Sequence, residues 1–224
     1  MDTTQQPSTT DDAPGLAPGD PRLAMAGAVR TAREVMAGVT PTQWDDPTPC
    51  GMSVRELLEH LVVVARRIGC AGRSQPLPEW PVDAADVADG DWLDAFTAAA
   101  HELPGAWPDE GLDDLRQLPW GTFPGPAVLG TYTNEVVVHT WDLARGTGQS
   151  PRWEDDVLET SMAAIREQLP DAERGPMWAA FQASLPDEIE WQDPFADAVP
   201  VPDGAPLIDR LVAWNGRDPR ALAA

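Results

Sequence analysis

Apolar residues recur along most of this chain at the three- and four-residue spacing of amphipathic helices, and clusters of proline and glycine cut that pattern into segments. Pro21 sits where a first helical turn tolerates proline, and Leu23, Ala26, Val29, Met36 and Val39 follow on one side, which predicts a first helix. The stretch TPTQWDDPTPCG reads as a connection, because Pro41, Pro47 and Pro49 would each disrupt a helix interior. Ser53 and Glu56 have the spacing of a capping box, and Val54, Leu57, Leu58, Leu61, Val64, Ala65 and Ile68 form the stripe behind them, so a second helix runs to about Cys70 and ends before Gly72. After a loop over 73–90, Asp91 offers an N-cap to a third helix, WLDAFTAAAHEL.

A Pro/Gly-rich stretch precedes VLGTYTNEVVVHTWDLARGTG. The run Val136, Val137, Val138 favours a strand on local preference, whereas the flanking Leu129, Trp141 and Leu143 and the length favour a buried helix, with Gly146 as the residue that ends it. WEDDVLETSMAAIREQL predicts a fifth helix, its acidic residues in the first turn where the helix dipole favours them. Beyond Pro170 the pattern weakens to two short candidates, MWAAFQASL and PLIDRLVAWNG, separated by proline-rich DPFADAVPVPDGAP. The organisation expected is a disordered tail over 1–20, a helical bundle over 21–170, and an extension over 171–224 that wraps over the bundle.

Charge narrows the partners. Fifteen basic residues against 37 acidic ones leave a formal net charge of −22, which repels phosphate backbones and anionic lipid, so neither nucleic acid nor a membrane surface is an expected partner. Every basic residue is arginine, which excludes Schiff-base chemistry and a P-loop lysine. Two cysteines, Cys50 and Cys70, are too few for a disulfide scaffold or a CxxC zinc knuckle. The first twenty residues lack a basic and an apolar region, and no later stretch supplies the roughly 20 apolar residues of a membrane span, so a cytoplasmic location is expected. The oligomeric state is not set by the sequence, which leaves a homodimer open.

Candidate chemistry centres on few residues. Glu135 and His139, four apart on a helix, project from one face about a turn apart, and Asp142 falls on the same face. His60 sits among Leu57, Leu61 and Val64 on an inward-facing surface of the second helix. Together His60, Glu135 and His139 make a His2Glu set, which leaves zinc or another divalent ion an open coordination position. Glu and His at this spacing also occur on solvated faces, and a lone histidine on an apolar face is often simply a hydrogen-bonded core residue. Two of the three histidines, however, lie in apolar helical contexts where an unpaired imidazole beside a carboxylate is costly; the third, His101, reads as structural. Tyr132, on the same face, is a candidate acid or hydrogen-bond donor or else a core tyrosine. Arg67 is a candidate anchor for a substrate carboxylate or else a partner for a surface acid. Cys50 precedes a helix, where a thiolate is stabilised, but its proline-rich turn points to packing.

WDDPTPCGMSVRELLEHL resembles the W-x-x-PTPC-x-x-x-V-R-x-L-x-x-H segment of the mycothiol-dependent maleylpyruvate isomerase type of DinB-like proteins, and NEVVVHTWDLARGTGQ resembles their E-x-x-x-H-x-W-D-L-A-x-x-T-G motif. VPDGAPLIDRLVAWNGRDP resembles the tail of short actinobacterial members described as metal-binding proteins. The resemblance, spread over about 22–219, implies an all-α, up-and-down four-helix bundle that binds a divalent metal through the positions of His60, Glu135 and His139. It further implies a zinc-dependent enzyme that uses mycothiol as cosubstrate for S-transfer or isomerisation of a small electrophile; the residues themselves offer such an enzyme Tyr132 and Asp142 as catalytic candidates and Arg67 as the substrate-binding one. Met52 stands where the motif usually has tryptophan, and the separate C-terminal domain of the full-length isomerases is absent, which argues against maleylpyruvate as the substrate. Two other readings of the same ligands are a non-enzymatic metal- or small-molecule-binding bundle and, more weakly, a metal-dependent hydrolase.

Overall fold

A computed structural model of the chain describes residues 16–183 and 195–221, and the expected tail lies outside the described residues up to position 15. Among these residues the protein is mainly helical, with one two-stranded hairpin. Helix α1 (Pro21–Ala37) begins where Asp20 accepts the Arg22 backbone N–H at 2.9 Å, and it buries Ala24, Met25, Ala28, Ala32, Val35 and Met36. Helix α2 (Val54–Gly72) carries the expected capping box: Glu56 N–H donates to Ser53 Oγ at 3.3 Å and Ser53 N–H donates to Glu56 Oε2 at 2.7 Å.

These hydrogen bonds hold the Glu56 carboxyl below its ordinary range, the Ser53 backbone N–H contributing most. A depressed carboxylate adds stability that is present at neutral pH and lost as pH falls through the folded-state value. The stability difference between wild type and Glu56→Gln, read from urea midpoints, should therefore shrink on acidification, because the protonated glutamic acid loses the same interaction as the amide. A difference that is constant from neutral to acid pH would contradict a charged box.

Helix α3 (Trp92–His101) starts after Asp91, although the Asp91 side chain makes no cap hydrogen bond, and His101 is exposed at its end. A short turn of helix, α4 (Leu103–Ala106), leads to strands β1 (Leu115–Leu118) and β2 (Gly121–Pro124), paired antiparallel with Leu118 opposite Gly121. The sequence pattern does not mark this hairpin, since strands of four residues carry too little alternation to separate from a proline-rich loop.

Helix α5 (Gly125–Gly146) is central: it packs on α1, α2 and on α6 (Asp155–Gln168). Val136, Val137 and Val138 are all buried in it, so the β-branched run is explained by a helix enclosed on nearly every side rather than by a strand. Gly130 lets α5 pack close to α6, since an added Cβ there would stand 2.9 Å from the Ala164 Cβ. The helix does not stop on a left-handed Gly146; that residue is still helical, and Gly148, at φ +69°, makes the turn while Gln149 N–H donates to the Ala144 carbonyl at 2.8 Å.

Helix α7 (Arg174–Gln182) follows, and α8 (Leu207–Trp214) packs on α6 and α5. The α5–α8 contact contains a reciprocal amide pair: Asn134 Nδ2 donates to Asn215 Oδ1 and Asn215 Nδ2 to Asn134 Oδ1, each at 3.0 Å, with both residues buried. Asn215→Ala would leave the Asn134 amide buried without that partner, a loss of about 1–3 kcal/mol. A urea midpoint indistinguishable from wild type would show that water replaces the lost partner freely.

Candidate metal centre

Adjacent faces of α2 and α5 bring three ligand-type side chains together. One ligand atom from each of His60, Glu135 and His139 lies within 4.8 Å of the other two. Glu135 and His139 meet because they are one turn apart on α5, and His60 meets them because the apolar stripe of α2 faces that helix. His60 Nε2 stands 3.4 Å from Glu135 Oε1, and the two imidazole rings are edge-to-face with centroids 4.6 Å apart. The His60 and Glu135 side chains each keep 25% of their surface exposed, so the cluster lies near the edge of the core.

The electrostatics favour the ligand forms of Glu135 and His139. Burial works to raise the Glu135 pKa, but His60, His139 and Arg67 outweigh it and hold the carboxyl below its usual range. The His139 imidazole is pushed down, first by burial and then by His60, against an opposing pull from Asp142, which keeps the ring neutral. A carboxylate and neutral imidazoles are the forms that bind metal. His60 Nε2 is sealed from solvent and makes no hydrogen bond among the described residues, a position that costs stability unless something accepts its lone pair or its proton. Two imidazoles, one of them with an orphaned ring nitrogen, and a carboxylate are a donor set that fits a zinc-class ion.

The profile of the family described as "Mycothiol maleylpyruvate isomerase N-terminal domain" matches residues 25–144. The chain belongs to this family. The match runs from α1 to near the end of α5 and so contains all three candidate ligands. Two proteins of the curated set, Uncharacterized protein MT0763 of Mycobacterium tuberculosis (strain CDC 1551 / Oshkosh) and Uncharacterized protein Rv0738 of Mycobacterium tuberculosis (strain ATCC 25618 / H37Rv), are each 31% identical over 202 residues. These alignments cover 90% of this chain and 100% of each relative, so the likeness extends through the C-terminal part that the family profile does not match. No solved structure matches.

Around the cluster, the other sequence candidates take different places. Asp142 is fully buried, and its Oδ2 lies 3.3 Å from His139 Nδ1 and 3.3 Å from an Arg217 guanidinium nitrogen. Tyr132 is 1% exposed, its hydroxyl makes no hydrogen bond among the described residues, and burial followed by the charge of Glu135 raises its pKa far above the ordinary phenol value. Arg67 donates its Nε–H to the Pro81 carbonyl at 2.9 Å and pairs with no surface acid among the described residues. Cys50 is half-buried, with its Sγ 3.1 Å from Thr48 Oγ1, and burial and then Asp142 push its thiol pKa up. That is the opposite of the activation expected of a thiolate at a helix N-terminus.

The residue missed by sequence reasoning is Arg217. It lies just past α8, donates one guanidinium nitrogen to the Asn215 carbonyl at 2.8 Å, and reaches Asp142 across 75 positions of chain. A single arginine after a terminal helix carries no local signal of such a partner.

Proposed function

We propose that this protein is a zinc-dependent enzyme that activates a low-molecular-weight thiol, mycothiol or a close relative, for S-transfer to or isomerisation of a small electrophile. The observation that carries this reading is the convergence of His60, Glu135 and His139 in a member of a family described by mycothiol chemistry. In this reading residues 21–170 form an up-and-down four-helix bundle, 171–224 pack on it as an extension, and the protein acts in the cytoplasm on small molecules alone.

In this reading His60, Glu135 and His139 hold the ion. When bound there, zinc would supply an open position at which a thiol loses its proton near neutral pH. The remaining roles belong to the chain's own groups. Asp142 Oδ2, 3.3 Å from His139 Nδ1, would set the orientation of the ring and so which nitrogen is left for the ion, and Arg217, 3.3 Å from the same oxygen, holds that side chain in place. Arg67, charged and not neutralised by a surface acid, attracts the carboxylate or other anionic group of the electrophile toward the cluster. Tyr132, held as the neutral phenol by its burial, can donate a hydrogen bond to oxygen on the substrate.

Metal analysis of protein purified without added metal or chelator tests the premise. Close to one zinc-class ion per chain is expected; protein that arrives folded, metal-free and unable to take up zinc on addition would remove the basis of the proposal.

A further inference from the structure

His139 belongs to two clusters. On one side are His60 and Glu135; on the other, ligand atoms of Cys50, His139 and Asp142 lie within 4.8 Å of one another. We propose that Cys50, His139 and Asp142 form a second metal seat, selective for a thiophilic divalent ion, that shares His139 with the first. This seat stands on its own residues and does not depend on thiol chemistry at the first.

Three observations point to a missing cation on this side. The Asp142 carboxylate is 0% exposed, and its Oδ1 has no hydrogen-bond partner among the described residues. Burying a carboxylate oxygen without a donor is costly, and Arg217 relieves only Oδ2, the oxygen that also faces His139. The His139 Nδ1 atom is likewise sealed from solvent and makes no well-aligned hydrogen bond despite its 3.3 Å approach to Asp142 Oδ2. The Cys50 sulfur, held in the turn before α2 by Thr48 Oγ1 at 3.1 Å, completes the group.

The donor chemistry sets the class of ion. One sulfur, one imidazole nitrogen and one carboxylate oxygen suit zinc and its softer congeners and disfavour magnesium or calcium, which require oxygen-rich shells. The two seats are therefore unequal: His60 and Glu135 offer no sulfur, so an ion softer than zinc prefers the Cys50 side, while zinc, which gains less from sulfur and meets the Arg217 charge there, stays with the first seat. On coordination the Cys50 S–H proton leaves to the buffer and the ion takes its place; when the first seat is filled through Nε2 the His139 Nδ1–H proton leaves as well, and the ring bridges the two ions as an imidazolate. The Arg217 guanidinium beside Asp142 opposes a second positive charge, which disfavours weakly bound hard ions and leaves those that gain a bond to sulfur.

Cadmium is the probe, because cadmium bound to thiolate has an ultraviolet charge-transfer band absent from cadmium bound only to nitrogen and oxygen. Titration of the full chain with cadmium should raise this band to a one-to-one end point. Cys50→Ser, Asp142→Asn and His139→Ala should each weaken or abolish it, and Cys70→Ser should not, since Cys70 lies elsewhere on α2. His60→Ala and Glu135→Ala should leave the band in place while removing zinc from the first seat, so failure of one seat is told from failure of the other. Should a Cys50 variant not fold, wild type still decides: cadmium should protect Cys50 from alkylation, mapped by mass spectrometry of its peptide. Cadmium bound without a sulfur band, or a band unchanged by Cys50→Ser, would overturn the second seat.

Discussion

Each of His60→Ala, Glu135→Ala and His139→Ala is expected to strip the purified chain of most of its bound zinc-class ion, the largest single effect foreseen for any substitution in this protein. Three protein ligands are the minimum that catalytic zinc sites use, and removing one leaves a two-ligand site that competes poorly with water and buffer. The losses should differ in their side effects. Glu135 carries the only negative charge of the three, so its removal leaves two imidazoles to share a cation without compensation, and affinity should fall furthest there. Without metal, His60→Ala also deletes an orphaned ring nitrogen, so this variant should lose the ion with little loss of stability in the metal-free state. Metal per chain by mass spectrometry, with urea unfolding in chelator as the companion measurement, separates these effects. Equal metal content in wild type and all three variants would sink the assignment of these ligands.

The sequence made α1, α2, α3, α5 and α6 legible because each has a period of apolar positions or a cap chemistry that acts locally. Ser53 and Glu56 illustrate this: their hydrogen bonds span three residues, so the pattern in the chain and the interaction in the structure are the same object. Glu135 and His139 are legible for the same reason, being neighbours along one helix. The meeting of His60 with them required the further step that two apolar faces would pack together, and α2 and α5 do pack. What stayed illegible depends on contacts distant in sequence. Neither the Asn134–Asn215 amide pair nor the approach of Arg217 to Asp142 has a local cause, and both arise only once α8 is laid against α5. Cys50 is a mixed case: its turn was foreseen, whereas its place beside Asp142 and His139 depends on how that turn sits against the C-terminal half of α5, where Gly146 admits the backbone of Pro47 and Thr48.

Loading the metal-free chain with cobalt and adding thiol should produce a charge-transfer absorption in the near ultraviolet, and mycothiol should produce it at lower concentration than glutathione. The argument is one of charge. Two neutral imidazoles and one carboxylate leave a divalent ion with a net charge of about +1, and a thiolate is the ligand that brings this to neutrality in a surrounding of low polarity. The exposed quarter of the His60 and Glu135 side chains puts the cluster near the surface, where such a ligand arrives. Cys50 could give a similar band by itself, so the titration is read as the increment on adding thiol, and Cys50→Ser must retain that increment. Glu135→Gln offers a sharper control than alanine, since it keeps the shape of the side chain while removing its charge; any cobalt retained by this variant should bind thiolate more tightly in proportion, because the site then starts with a greater positive charge. Absence of any thiol-dependent band while cobalt stays bound, together with no thiol adduct formed from a panel of electrophiles, would retire the transferase reading in favour of a metal- or small-molecule-binding helical protein.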